Sequence, residues 1–400
     1  MESDVGRLLA KFESGALLRP SADVPNVVDL TAALWSAAGV DAGELTPAAE
    51  AIRARIGDRG HLVFVLADGL GMELLEAMPA ATFLWSHLDG TLNTVFPSTT
   101  AAALTTFATA VWPANHGIVG HWVHLAEAGA TTVLSGMTRS NGRPLAETGV
   151  SSRELVLAPS LASRLTRPAL SLLPSGIVAS AYSTYTTSET RMGYRSLNEA
   201  VDLAIQFIEA ATEPTYTYLY VSRIDDTTHE LGAARLEVVG AVRDLDRALQ
   251  RMALALGGRA RIVLAADHGH LAVRPAARRV IRGGDDLASM FRAPPTGDAR
   301  VLSFHLDPGT SERFMAAFRD RMGAYFCILT PDEVESLRLL GPGNVPAETR
   351  RRLGDAVAIS LADDTLEYRA KGARPDGRLA WPSHHSGLTA AEMRVPLLIL

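Results

Sequence analysis

His61-Leu-Val-Phe-Val-Leu-Ala67, closed by Asp68-Gly-Leu-Gly71, is an apolar run too short for a buried helix and stopped by an acid beside two glycines. Such a run reads as a strand buried on both faces, the kind found in parallel sheets. Two more runs repeat the pattern. Tyr216 to Ser222 leads into Arg223-Ile-Asp-Asp226, and Arg261-Ile-Val-Leu-Ala-Ala266 leads into Asp267-His-Gly-His270. From about residue 61 to 270, strand-like runs alternate with helical patterns, which predicts an α/β fold: a central, mostly parallel sheet with helices on both faces. In open parallel sheets ligands bind beyond the carboxyl ends of the strands, so three strands ending in Asp or His are expected to converge on one site.

The chain has 400 residues, of which 47% are hydrophobic and 20% charged, ordinary values for a globular protein longer than one simple core. One catalytic domain, residues 1–274 and 376–400, is expected to carry a small inserted α+β cap, residues 275–375. After Arg274 the composition shifts to a Pro/Arg/Gly-rich connection. Val301 to Tyr368 then shows strand and helix patterns of its own, before a Gly/Pro-rich exit from Lys371 to Pro382. The net charge of -6 speaks against a nucleic acid polymer as partner and for a small molecule. Met1 to Lys11 contains no apolar run of secretory length, and no stretch approaches the roughly 20 apolar residues of a membrane span. A cytoplasmic protein without membrane contact is expected. The single cysteine, Cys327, lies in the strand-like run Tyr325 to Thr330, where it reads as a small buried apolar residue. A metal site must therefore use His and carboxylates.

Asp68 has the space that Gly69 and Gly71 leave beside it. A dinucleotide loop would need a further glycine that is missing. In Phe96-Pro-Ser-Thr-Thr-Ala-Ala-Ala103, hydroxyl residues precede an alanine run, so Thr99 or Thr100 starts a helix. Such a Thr is ordinarily an N-cap. A helix N-terminus also attracts phosphate, but an alcohol attacks it only when a metal or base takes its proton. Ligands for such a metal are offered by Asp225-Asp-Thr-Thr-His229, Asp267-His268 and Ser383-His-His-Ser-Gly387. Singly, each is ordinarily a capping Asp or a satisfied His. Together with Asp68 they supply three carboxylates and three imidazoles, Asp68, Asp225 and Asp267 with His229, His268 and His385, a donor set suited to zinc or manganese rather than calcium. Two metals about 4 Å apart would divide the labour, one activating the Thr and the other supporting the leaving oxygen.

From Val63 to Leu400 these blocks fall in an order that resembles the alkaline phosphatase superfamily, and within it the type I phosphodiesterase/nucleotide pyrophosphatase family. Pro97-Ser-Thr-Thr100, then a helix, then Pro113-Ala-Asn-His-Gly-Ile118 is similar to the family's nucleophile block, and the interval to His116 selects Thr100 over Thr99. The end of the chain matches through His385-Ser-Gly-Leu388, Glu392 and Val395-Pro-Leu-Leu398. His385 is preferred to His384 because of the Gly-Leu that follows. The resemblance implies that Asp68, Thr100, Asp267 and His268 hold one metal and Asp225, His229 and His385 the other. Two divalent ions, zinc foremost with manganese or iron as alternatives, and a covalent phosphothreonine-type intermediate on Thr100 follow from it.

The chain departs from the family pattern in three places. Ala101 to Leu104 replace a common Phe-Pro-Asn-His, Ala110 stands where a Gly usually follows the helical Thr, and His121 occupies the position of an Asn that contacts the phosphoryl oxygen. An imidazole donates to that oxygen too. Trp122, Tyr182, Tyr185 and Thr187 are candidates for a leaving-group pocket. The expected activity is metal-dependent hydrolysis of phosphodiester or nucleotide pyrophosphate bonds in a small substrate. The alternatives are a phosphomonoesterase or a phosphonate hydrolase with the same site. A monoesterase needs a well-placed cation, for which Arg191, Arg223 and Arg274 are candidates. From another class, an inactive metal- or nucleotide-binding protein would be expected to have lost ligands or the nucleophile.

Overall fold

The computed structural model describes residues 3–58, 60–140, 142–372 and 380–400. His61–Ala67 is a strand buried at every residue after the first. It lies within a seven-stranded sheet in the order Leu88–Asn93, Arg394–Ile399, Ala260–Ala265, His61–Ala67, Tyr216–Val221, Ala169–Pro174 and Arg191–Tyr194. The last five of these are mutually parallel. Arg394–Ile399 runs antiparallel to both of its neighbours. The mostly parallel sheet expected from the buried apolar runs is therefore present, and its three Asp-terminated strands are adjacent and central.

Helices Val27–Ala37 and Thr100–Thr109 pack together on one face, where Phe107 meets Phe64 and Trp35 meets Tyr216. On the other, Leu197–Glu209 packs against Leu236–Leu256. The latter buries Val238, Ala241, Val242, Leu245, Ala248, Leu249, Met252 and Leu256, the three-and-four spacing of an amphipathic helix laid on a core. Among the described residues, no helix is long and apolar enough to cross a membrane.

A second, antiparallel sheet has the order Phe326–Leu329, Ala356–Ser360, Val301–Leu306, Phe291–Asp298, Trp122–Leu125 and Gly129–Thr132. Strand alternation sends its side chains to two cores. Val301, Cys327, Leu329, Val357 and Ile359 join the main core. Leu302, Phe304, Leu306, Phe326 and Ile328 turn the other way, onto Phe314 and Phe318 of helix Ser311–Met322. Cys327 is fully buried, and burial pushes its thiol up to about 12. Four strands of this sheet come from residues 291–360 and two from residues 122–132, so the sheet reaches across residue 275. Residue 375, and with it most of the exit between Lys371 and Pro382, lies outside the described residues.

Candidate metal centre and active site

Each of the three central parallel strands delivers an acid just beyond its end. The Asp68 N–H still donates to Val221 O at 2.9 Å, and the side chain then turns into the interior, 2% exposed. Asp267 and His268, fully buried, follow Ala260–Ala265 in the same way. Asp225 sits in the first turn of helix Arg223–Leu231, which places His229 one turn on and 3.3 Å away. Gly69, at φ 74°, has no room for a side chain: a Cβ there would lie 2.7 Å from His270 Nε2 and 3.0 Å from the Asp225 Cα. A Cβ on Gly71 would lie 2.6 Å from the Gly269 Cα. The glycines thus bring three strand ends together, which leaves no space for a dinucleotide at this turn.

Thr99 occupies the N-cap position and Thr100 is the first residue of helix Thr100–Thr109, yet neither hydroxyl caps it. Thr99 Oγ1 donates to Asp298 Oδ2 at 2.9 Å, and Thr100 Oγ1 lies 3.0 Å from His268 Nε2. The first amides of the helix are therefore left without a side-chain acceptor beside a hydroxyl that faces the cluster, an arrangement that favours an anion. His116 holds the far side of this helix. Its Nδ1 accepts from the Ile118 N–H and its Nε2 lies 3.1 Å from Thr106 Oγ1, and burial lowers its pKa to about 3, so the ring is neutral and structural. Ala110 ends the helix in the left-handed region at φ 57°, where a residue with a Cβ costs about 1–2 kcal/mol and glycine costs little.

The imidazoles are oriented alike. His229 Nδ1 lies 3.0 Å from Ser383 O, His385 Nδ1 lies 2.9 Å from Ser98 O, and His268 Nδ1 lies 3.1 Å from Gly269 O. A ring whose Nδ1–H is held by a carbonyl presents the lone pair of Nε2. The Nε2 atoms of His229 and His385 face each other at 3.1 Å, and with each Nδ1–H held by a carbonyl their lone pairs point at one another. His268 Nε2 lies 3.4 Å from both Asp68 Oδ1 and Asp267 Oδ2, and those two carboxylate oxygens are buried without a hydrogen-bond partner among the described residues. Facing lone pairs and orphaned carboxylate oxygens cost free energy unless a cation lies between them, so this donor set fits divalent metal. Asp68, Asp267 and His268 form one candidate ligand group, and Asp225 stands in two others, with His229 and His270 and with His268 and His385.

Electrostatics agree with that fit. Burial, then the charges of Asp267 and Asp225, raise the Asp68 carboxyl well above the usual range, and burial with Asp225 raises Asp267 to about 7. Burial also acts to raise Asp225, but His229, His270 and His385 outweigh it and hold the carboxyl below its ordinary value. Burial lowers His229 and His268, which favours the neutral, ligating form.

All the sequence-predicted residues, Asp68, Thr100, His121, Asp225, His229, Asp267, His268 and His385, lie in or beside this centre. Thr100, His121, Asp225, His229 and His385 line one cavity of about 280 Å3. His121 is half-buried on its wall, edge-on to Trp122 at 5.9 Å. Four residues of the site carry no role from the sequence. Tyr220 donates a hydrogen bond to Asp68 Oδ2. His270 Nε2 bonds Asp225 Oδ1 at 2.8 Å. Asp298 stands near His121 and His385, which lower its pKa against the opposing effect of burial. Arg139 lines the cavity, its guanidinium 5.1 Å from the Trp122 ring centre. Arg191, Arg223 and Arg274 are not among the cavity's lining residues; Arg274 instead pairs with Asp363.

The comparisons with known proteins agree. Human ectonucleotide pyrophosphatase/phosphodiesterase 5 superimposes with a TM-score of 0.63 at 14% identity, covering 85% of this chain and 87% of that one. The murine protein gives 0.61 at 16%, covering 84% and 87%. Phosphonoacetate hydrolase from Sinorhizobium meliloti 1021, solved with phosphonoformate, gives 0.61 at 17%, covering 85% and 90%. At such identities the likeness speaks for the fold. No curated protein sequence matches the chain. The sequence model of type I phosphodiesterase / nucleotide pyrophosphatase matches residues 62–378, and the chain belongs to that family of metal-dependent phosphoric ester hydrolases.

Proposed function

We propose that the protein hydrolyses phosphodiester or nucleotide pyrophosphate bonds in a small molecule, with Thr100 as nucleophile and two divalent ions, zinc foremost. The observation that carries this is the Thr100 hydroxyl, which forgoes the cap of its own helix and lies 3.0 Å from His268 Nε2 beside two unpartnered carboxylate oxygens. Asp68, Thr100, Asp267 and His268 would hold one ion, and Asp225, His229 and His385 the other. When bound, the ions favour the alkoxide of Thr100 and neutralise charge on the phosphoryl oxygens.

Thr100 Oγ1 attacks phosphorus in line, a P–O bond forms to it, and the bond to the leaving oxygen breaks. The amides at the start of helix Thr100–Thr109 and the His121 ring donate to the phosphoryl oxygens as their charge grows. Water then cleaves the phosphothreonine ester and restores the alcohol. The murine relative was solved as an inactive threonine-to-alanine variant in complex with AMP, which supports a nucleotide-sized substrate and a threonine of this kind. A phosphomonoester or phosphonate substrate is the second reading. Arg139, a cation on the cavity wall suited to an extra anionic oxygen, favours it, as does a structural relative solved with phosphonoacetate.

Metal-loaded Thr100→Ala is expected to hydrolyse bis(4-nitrophenyl) phosphate about a thousandfold or more slower than the parent. Turnover within tenfold of the parent would remove Thr100 from the chemistry. Phosphorus release from matched diester, monoester and phosphonate substrates separates the two readings.

A further inference from the structure

The helix that presents Thr100 begins without the cap its sequence offers. Ser3, Thr46, Thr82, Ser180, Ser196 and Thr330 each accept a hydrogen bond from an amide of the helix they open. Thr99 has the same extended backbone, φ -122° and ψ 144°, so its conformation is no obstacle to doing likewise. Its hydroxyl is turned instead to Asp298 Oδ2, at 2.9 Å. The first intrahelical bond runs from the Ala103 N–H to Thr99 O at 3.0 Å, which leaves the N–H groups of Thr100, Ala101 and Ala102 without a carbonyl of their own helix.

Asp298 is brought there by pairing between distant segments. It ends strand Phe291–Asp298 of the second sheet, in which Gly297 pairs with Trp122. A Cβ on Gly120 would lie 2.5 Å from the Gly297 Cα, so glycine is what lets the two backbones meet. The Ala299 N–H donates to Asp298 Oδ1 at 2.9 Å, which leaves Oδ2 for Thr99. Burial acts to raise this carboxyl, but His385 and His121 outweigh it and keep the group ionised, a strong acceptor. Thr99 is buried too. Deprived of Asp298, its hydroxyl would turn to the nearest free donors, the amides of Ala101 and Ala102.

We propose that Asp298 is a positioning residue: it holds the Thr99 hydroxyl aside and so keeps the start of the nucleophile helix open to the phosphoryl oxygens of the substrate. This rests on the reading above, in which those amides take the phosphoryl oxygens. The second sheet thereby acts on the nucleophile helix itself and not only on the mouth of the cavity.

The test compares Asp298→Asn with Asp298→Ala. Both remove the charge, but only asparagine keeps a hydrogen-bonding group against Thr99 Oγ1. With metal-loaded protein and inorganic phosphate as the calorimetric probe, Asp298→Ala is expected to bind about fivefold more weakly than Asp298→Asn, the worth of one N-cap bond that phosphate must displace. Adding Thr99→Val to each removes the competing hydroxyl, and the two double variants are then expected to agree within about twofold. A merely structural role for Asp298 would not respond to that second change. Equal affinities of the two single variants overturn the proposal, as does a difference that survives Thr99→Val. Asp298→Leu, which has no acceptor, replaces the alanine variant in the same comparison if that protein does not fold. Hydrolysis of the diester by the parent without the Asn–Ala difference overturns this proposal alone. The expected binding pattern in a protein that hydrolyses none of the esters counts against the proposed activity alone.

Discussion

Replacing Arg300 by methionine tests how the His385 loop is held. Arg300 is fully buried; its Nε donates to Glu392 Oε1 at 2.6 Å, Nη1 to Asp364 O at 3.1 Å and Nη2 to Ala362 O at 2.7 Å. Glu392, also fully buried, accepts from the Gly387 N–H at 2.7 Å and closes the capping box of Thr389. A Cβ on Gly387 would lie 2.7 Å from Glu392 Oε2 and 2.8 Å from Arg300 Nε, so the loop that carries His385 is pressed against this ion pair. Methionine roughly keeps the volume but leaves the carboxylate buried with its charge uncompensated, a loss of about 3–5 kcal/mol. Urea unfolding at saturating metal measures that loss. kcat/KM is expected to fall by about a hundredfold if His385 shifts by an ångström. The double variant Arg300→Met/Glu392→Leu is expected to recover part of the stability, because it removes the orphaned charge and loses only the cap. A single-variant loss below about 1 kcal/mol, or a double variant as unstable as the sum of both singles, would refute this account.

Tyr220→Phe removes the hydroxyl bonded to Asp68 and leaves the ring in place; metal affinity is expected to fall by about 10–100-fold, read by competition with a chelator, and unchanged affinity would deny Tyr220 a positioning role. Metal removal should couple to pH through the carboxyls. Burial and Asp225 hold the Asp267 pKa at about 7, and the carboxyl of Asp68 is raised as well, so the metal-free fold keeps protons that the unfolded chain releases near pH 4. This contribution lowers metal-free stability as pH rises from about 4 to 7, and because His229 and His268 are already biased to the neutral form, the rise in unfolding temperature on adding zinc is expected to grow from pH 6 to pH 8. An equal rise at both values would contradict it.

The sheet and most of the centre were legible in the sequence because their signals are local. A buried strand followed by an acid is visible at Ala67-Asp68 and Ala266-Asp267, and parallel topology says that such ends meet. Thr100 was legible only through its interval to His116, because a hydroxyl before an alanine run is ordinarily a cap; the structure shows that neither Thr99 nor Thr100 caps. What the sequence hid depends on pairing between distant segments. Trp122 pairs with Gly297, which joins residues 122–132 to the second sheet and brings Asp298 near His121, and no pattern within either segment announces the other. Tyr220 looked like one more aromatic in a strand until its partner Asp68 was placed. Arg139 gains meaning only from its position over Trp122 on the cavity wall.

The order of strands in the main sheet has a consequence for synthesis. Arg394–Ile399, the last strand, is wedged between Leu88–Asn93 and Ala260–Ala265 rather than added at an edge. Its neighbours must wait for it, with apolar faces uncovered, until those residues have left the ribosome. His385 arrives only just before. Catalytic competence should therefore appear in a single step once residues 394–399 have left the ribosome, and a nascent chain stopped short of Val395 should be a client for chaperones rather than a slow enzyme.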